Sequence, residues 1–188
     1  MTHARIAYFI DALNRDHRDP RFLAGAPIAD DVEYGWVWDD EGGACSLCAF
    51  HEFYFLKHGG VYAGAVNLLR RDVHVYMRPE FRGKGIFPRL FRNIVLPHLF
   101  LDGRGLQPIT FEHPKVARHF EALGFEVEWN IADARFDGFM RRERVPDPSA
   151  LLPPPTGGHP SDECILLLKA RDHGAVDAFR KLVSAGMP

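Results

Sequence analysis

The spacing of hydrophobic positions changes character near the middle of the chain. Residues 4–15 place Ile6, Phe9, Ile10 and Leu13 at helical intervals, which predicts an amphipathic first helix. The polar stretch from Asp16 to Asp31 is broken by Pro20, Gly25 and Pro27. It reads as loop, with at most a short helical turn near Phe22 and Leu23. Tyr34 to Trp38 is aromatic and β-branched, which predicts a strand. Glu41-Gly42-Gly43 turns the chain into residues 44–57 (ACSLCAFHEFYFLK), a long strand for which a helix is the alternative. A second turn at His58-Gly59-Gly60 leads to strands at Val61 to Leu69 and Val73 to Met77, joined by Arg70-Arg71-Asp72. The first half is therefore expected to be an antiparallel meander.

In the second half the period becomes 3.6. Phe87, Leu90, Phe91, Ile94 and Val95 share one helical face, and Pro97 should end or kink that helix. Pro108 to Glu112 (PITFE) reads as a short strand. Pro114 to Leu123 reads as a helix, with Pro114 suited to its first position and Gly124 to its C-terminal cap. Phe125 to Phe136 returns as a strand. Residues 145–160 (VPDPSALLPPPTGGHP) hold six prolines in sixteen positions, so a loop or semi-rigid arm is expected there. A strand at Cys164 to Lys169 and a helix over 174–185 complete the order.

Composition narrows the function classes. The chain has 188 residues, 46% of them hydrophobic, enough for one compact domain. A net charge of −2 supplies no basic field to recruit nucleic acid, so none is expected as a partner. No apolar run approaches the roughly 20 residues of a spanning helix, so no membrane is expected. The N-terminus is amphipathic and does not read as a signal peptide. Three cysteines make a poor disulfide framework, and together these features point to the cytoplasm. Oligomeric state is left open, with a homodimer through the C-terminal helix as one alternative.

The candidate chemistry sits at Met77-Arg-Pro-Glu-Phe-Arg-Gly-Lys-Gly-Ile-Phe-Pro-Arg-Leu90, where a strand passes through two glycines into a helix. Such a junction presents free backbone N–H groups and about half a positive charge from the helix dipole. Gly83 and Gly85 let the backbone approach an anion, and Arg82, Lys84 and Arg89 add charge. The physical reading is a pyrophosphate cradle, against the plain alternative of a glycine turn needed only for sterics. It is not a nucleoside-triphosphate loop, because Gly83-Lys84 is followed by Gly85 rather than Ser or Thr. It is not the dinucleotide pattern either, because the third glycine would fall at Pro88.

These residues resemble the acyl-CoA loop of the GNAT N-acyltransferase superfamily, Arg/Gln-x-x-Gly-x-Gly/Ala, matched at Arg82 and Gly85. A second block agrees: residues 116–125 (VARHFEALGF) resemble the family's later helix, ending in Leu123-Gly124-Phe125. The resemblance implies one α/β domain over residues 1–188, with loop 145–160 and an appended strand and helix. Its mixed, mostly antiparallel central sheet would splay between the fourth and fifth strands, flanked by helices. It implies an acyl-CoA, acetyl-CoA foremost, as co-substrate, a primary amine as acceptor, and no metal. The amides of Gly83, Lys84, Gly85, Ile86 and Phe87 would hold the pyrophosphate. Val75 to Met77 would pair with the pantetheine arm. The Met77 N–H, near the bulge the family places there, would polarise the thioester carbonyl.

Two positions depart from the family. The last Gly/Ala of the loop is Phe87, which its stripe with Phe91 and Val95 assigns to the core. The tyrosine that commonly reprotonates the thiolate is Phe120, which cannot donate a proton. Water or another group such as Tyr76 would have to serve. Candidates for the base are Glu52, His74 and His113, the last of which could instead simply cap its helix. These departures keep a second reading open, a GNAT-like module that binds acyl-CoA without turning it over. A third is zinc at Cys45-x-x-Cys48 with His51 and His58. A strand there would send the two thiolates to opposite faces. Arg141, Arg142 and Arg144 form a basic cluster with two readings, a solvated loop or contact with a phosphate.

Overall fold

The computed structural model describes residues 1–15, 22–39, 50–69 and 72–147. The expected turn at 41–43, Cys45 and Cys48, most of loop 145–160, and the elements at 164–169 and 174–185 lie outside the described residues. The described part is mixed α/β. Helix α1 (His3–Arg15) precedes five strands: β1 (Phe22–Ala29), β2 (Val32–Trp38), β3 (Phe50–His58), β4 (Val61–Leu69) and β5 (Asp72–Met77). Helical turns follow from residue 86 to residue 102, including α2 (Ile86–Leu90) and α3 (Leu96–Leu99). Then come β6 (Leu106–Phe111), α4 (Pro114–Ala122), β7 (Glu126–Asn130) and β8 (Arg135–Arg141).

The strands form two antiparallel sheets, one ordered β1-β2-β3-β4-β5 and one ordered β6-β8-β7. The meander is as expected. The strands divide into two separate sheets between β5 and β6, which are the fourth and fifth strands of the sequence's count, because the sequence reading does not include β1. The larger sheet is buried on both faces. Alternate residues of β3 serve the two sides: Phe53 and Phe55 pack with Ile6, Phe9, Ile10 and Leu13 of α1, while Tyr54 and Leu56 pack with Leu90, Phe91 and Leu96. Six consecutive buried residues in β4 follow from this double covering.

Three expectations change. Residues 22–29 are strand, not loop. β1 lies at the edge of its sheet, where the missing N–H of Pro27 breaks no interior ladder. Pro97 does not end its helix. Phe91–Val95 widens to a π turn, in which the Leu96 N–H donates to the Phe91 carbonyl, and helix resumes through Pro97 to Leu99. The expected single strand over 125–136 is a hairpin start. Asn130 Oδ1 accepts from the N–H groups of Ala132 and Asp133, at 3.1 and 3.3 Å, and turns the chain, with Ala134 at φ 49°.

Candidate functional site

β5 is the edge of the larger sheet that faces the division. Its register with β4 is regular from Leu69↔Asp72 to Gly64↔Met77, so the bulge expected near Met77 is absent. The Arg78 N–H donates to the Ala63 carbonyl at 2.9 Å, which makes that pair a hydrogen-bonded one. Pairs alternate in an antiparallel ladder, so the main-chain groups of Met77, Val75 and Val73 point away from β4, toward the division. Asp72 Oδ1 takes the Val73 N–H at 2.7 Å, and Arg82 Nε donates to the Met77 carbonyl at 2.8 Å.

After Met77 the chain makes a 3₁₀ turn at Pro79–Phe81, closed by the Arg82 N–H on the Pro79 carbonyl at 3.2 Å. Gly83 and Gly85 follow at φ 71° and 72°, a left-handed conformation that side chains other than glycine's adopt at a cost. No atom lies within 4 Å of a Cβ placed on either. Backbone conformation, not crowding by a neighbour, therefore calls for glycine, and the surface above both is open. α2 starts at Ile86 with Gly85 as its N-cap and no side chain capping it. Its first amides have no partner within the helix, and Pro88 brings none. Gly83, Lys84 and Gly85 are exposed.

The basic side chains differ in availability. Arg82 is turned back onto the Met77 carbonyl, with its guanidinium 5.9 Å from the Tyr76 ring centre. Arg89 pairs with Asp31 at 2.9 Å. Lys84 is exposed, with its ammonium 5.6 Å from the Phe81 ring centre. Phe87 is buried and stacks on Phe91 at 4.9 Å. It is a core side chain at the end of the glycine turn, as its helical stripe predicts.

A cavity of about 640 Å³ opens in the division beside the start and middle of β5. Val73, Val75, Ile109 and Phe120 give it apolar walls, while Asp72, His74, Glu112, His113 and Arg135 supply its polar groups. Asp72 clasps the two sheets together there. Its carboxylate accepts from the Thr110 N–H at 3.1 Å and from the Thr110 hydroxyl.

The structure brings some sequence candidates together and separates others. His74 lines the cavity. Burial lowers its pKa below the ordinary histidine value; nearby His3 and the N-terminal ammonium lower it further. A hydrogen bond with the Met1 main chain acts in the opposite sense. A bond that favours the cation is one in which the ring donates, so the neutral ring keeps its second nitrogen as an acceptor. His113 also lines the cavity, but its Nδ1 accepts the Lys115 N–H at 3.1 Å and caps α4. In that tautomer Nε2 carries the proton and can donate but not accept.

Glu52 is not among the cavity's lining residues. It accepts from Trp36 Nε1 at 3.2 Å and from the Tyr34 hydroxyl, whose pKa is raised by burial and then by this carboxylate. Tyr76 faces α1, on the side of the sheet opposite Val75 and Met77. Phe120 packs against Phe87, Phe111 and Phe125. Arg141 and Arg144 both pair with Glu126, so the basic cluster is largely answered by one acid.

Two residues escaped sequence reasoning. Asp72 reads as an ordinary turn residue and gives no sign of its reach to β6. Gly64 is an isolated glycine within a strand, a pattern that signals close approach of another backbone. Among the described residues no group of three or more His, Cys, Asp or Glu side chains is arranged to hold a metal, and no helix is long and apolar enough to cross a membrane. No protein-family model matches the chain, and no curated protein matches it.

Proposed function

We propose that the chain is a GNAT-like N-acyltransferase that moves an acyl group, acetyl foremost, from CoA to a primary amine. One observation carries this reading. The outward main-chain edge of β5 runs directly into an uncapped, glycine-lined helix start. The residues fit the co-substrate. Val75 offers an outward N–H and C=O to the amide-bearing pantetheine arm. Gly83, Lys84, Gly85, Ile86 and Phe87 offer amides to the pyrophosphate, and Lys84 adds charge. The Met77 N–H, also outward, would polarise the thioester carbonyl as it gains negative charge.

In the reaction the amine nitrogen attacks the carbonyl carbon and forms a C–N bond, the C–S bond breaks, and CoA leaves as thiolate. The amine's proton needs an acceptor, and His74 has the best standing of the three candidates. It lines the cavity, its neutral form is favoured at neutral pH, and one ring nitrogen is free of the Met1 bond. The thiolate regains a proton from water, because Phe120 cannot supply one.

The test is isothermal titration with acetyl-CoA. Binding in the micromolar range is expected, and no heat at millimolar ligand would overturn the reading. Gly85→Glu should weaken binding at least tenfold. Gly103→Glu is its control, because Gly103 shares the left-handed backbone and open surroundings away from the loop. Equal losses in both would remove the loop from its assigned role. Binding without transfer to any member of an amine panel would favour the silent module that Phe120 also suits.

A further inference from the structure

The glycine turn is better supplied with main-chain donors than with cations. Arg82 is spent on the Met77 carbonyl and Arg89 on Asp31, which leaves Lys84 of the three basic side chains there. A neighbouring element adds more. Phe87, the last of the turn's amides, meets two side chains of α4, with ring centres 5.7 Å from His119 and 6.2 Å from Phe120. Phe120 is buried and His119 is exposed, so His119 stands at the surface beside the turn. Lys115 lies one helical turn before His119 on the same face and is exposed too. Among the described residues, none of Lys84, Lys115 and His119 is held in an ion pair. The acids of residues 112–122 stand elsewhere. Glu112 lines the cavity, and Glu121 projects about 200° round the helix from His119. Two elements therefore bring three uncommitted basic side chains to one side of the turn.

We infer that Lys84, Lys115 and His119 form a second anion subsite, beside the glycine turn, for a phosphomonoester carried on the same ligand as the pyrophosphate. In an acyl-CoA that group is the 3′-phosphate of the nucleotide. The inference rests on the transferase reading for the ligand's identity and deepens it, because the protein then selects the 3′-phosphorylated carrier. A phosphomonoester bears a charge of about −1.5 to −2 at neutral pH and three strong acceptor oxygens. Lysine ammonium and imidazole N–H groups are donors matched to it, and charge-assisted bonds of this kind are the strong ones. Main-chain amides serve the pyrophosphate, whereas side chains serve the phosphomonoester. Substitution can therefore remove the second subsite and leave the first.

The test is isothermal titration of the full chain with acetyl-CoA and with its 3′-dephospho analogue, which lacks only the phosphomonoester. Acetyl-CoA should bind about tenfold more tightly or better, the size of one charge-assisted bond. Lys115→Gln combined with His119→Gln should remove most of that preference while affinity for the dephospho analogue holds. Arg118→Gln is the control. Arg118 is exposed on the same helix, about 100° from His119 on the side away from Phe120 and Phe87, so the preference should survive its loss. The inference is overturned by equal affinities for the two ligands, by a preference that outlasts the double substitution, or by an equal loss from Arg118→Gln. Equal affinities leave the transferase reading standing, and failure of both ligands to bind removes both. A preference for the 3′-phosphate without acyl transfer to any amine keeps the subsite and removes the transferase reading.

Discussion

Gly64 gives the sharpest stability prediction, because the register sets its surroundings. It lies opposite Met77 at the end of β5. A Cβ there would come within 2.6 Å of the Tyr76 carbonyl oxygen and would overlap Met77 Sδ. The sulfur can swing aside, but the carbonyl is backbone. Ordinary contact begins near 3.4 Å, so relief requires strand separation of 3.4 minus 2.6, or 0.8 Å. Overpacking of this kind costs about 1–3 kcal/mol, and a backbone obstacle puts it in the upper half. Removing glycine's excess freedom from a strand returns about 0.5–1 kcal/mol. Gly64→Ala should therefore destabilise by about 1–2.5 kcal/mol. In a domain of this size that lowers the melting temperature by about 2–10 °C. Urea denaturation with fluorescence detection measures it. Adding Met77→Ala should recover only part of the loss, because the Tyr76 carbonyl remains. A single variant as stable as the parent, or full recovery in the double variant, would refute the backbone argument.

The clasp between the sheets should appear in a double-mutant cycle: Asp72→Asn and Thr110→Val, measured singly and together, should show a coupling of about 1 kcal/mol, and additive effects would contradict it. Burial, first among the causes, lowers the pKa of both His51 and His74. Below about pH 6.5 the unfolded chain then binds more protons than the native one, so stability should be full above that point and fall with pH toward the native values. Denaturation midpoints across that window should flatten when both histidines are changed to Asn; an unaltered slope would contradict the assignment. Phe91 is fully buried among Phe87, Phe120 and Phe125, so Phe91→Ala should cost about 3–5 kcal/mol, and a loss under about 1 kcal/mol in calorimetry would argue against that aromatic core.

Much of the fold was legible because its signals are local. The stripe of Ile6, Phe9, Ile10 and Leu13 marks α1, and the same residues are buried in it. Pro114 and Gly124 bracket α4, and Gly124 sits at φ 100° as a helix-ending glycine should. The glycine turn was read from residue types, and Gly83 and Gly85 have the positive φ that only glycine adopts freely. The misreadings have physical reasons. Pro27 argues against a strand only in a sheet interior, and no sequence rule says that β1 is an edge. Pro97 argues against a regular helix, and the helix is irregular before it; only the expected ending fails, because a π turn at Phe91–Val95 lets helix resume through Pro97. The Asn130 turn carried its own signal in the side chain's reach to Ala132 and Asp133, and hydrophobic spacing alone did not register it.

The candidate site divides in the same way. Spacing, charge and backbone freedom along the chain determined that a strand would meet a helix through an open, basic glycine turn, because each residue there acts through its own conformation. Only the tertiary structure decided what surrounds that turn. Pairing of β4 with β5 decided that Val75 and Met77 turn their main chain outward, since ladder alternation depends on the partner's register. Division of the strands into two sheets decided that a cavity opens beside β5, with Asp72 reaching across to Thr110 at its edge. Packing decided that His74 joins that cavity while Glu52 stays with Trp36 and Tyr34. These contacts join residues tens of positions apart, and their geometry exists only once both sheets have formed.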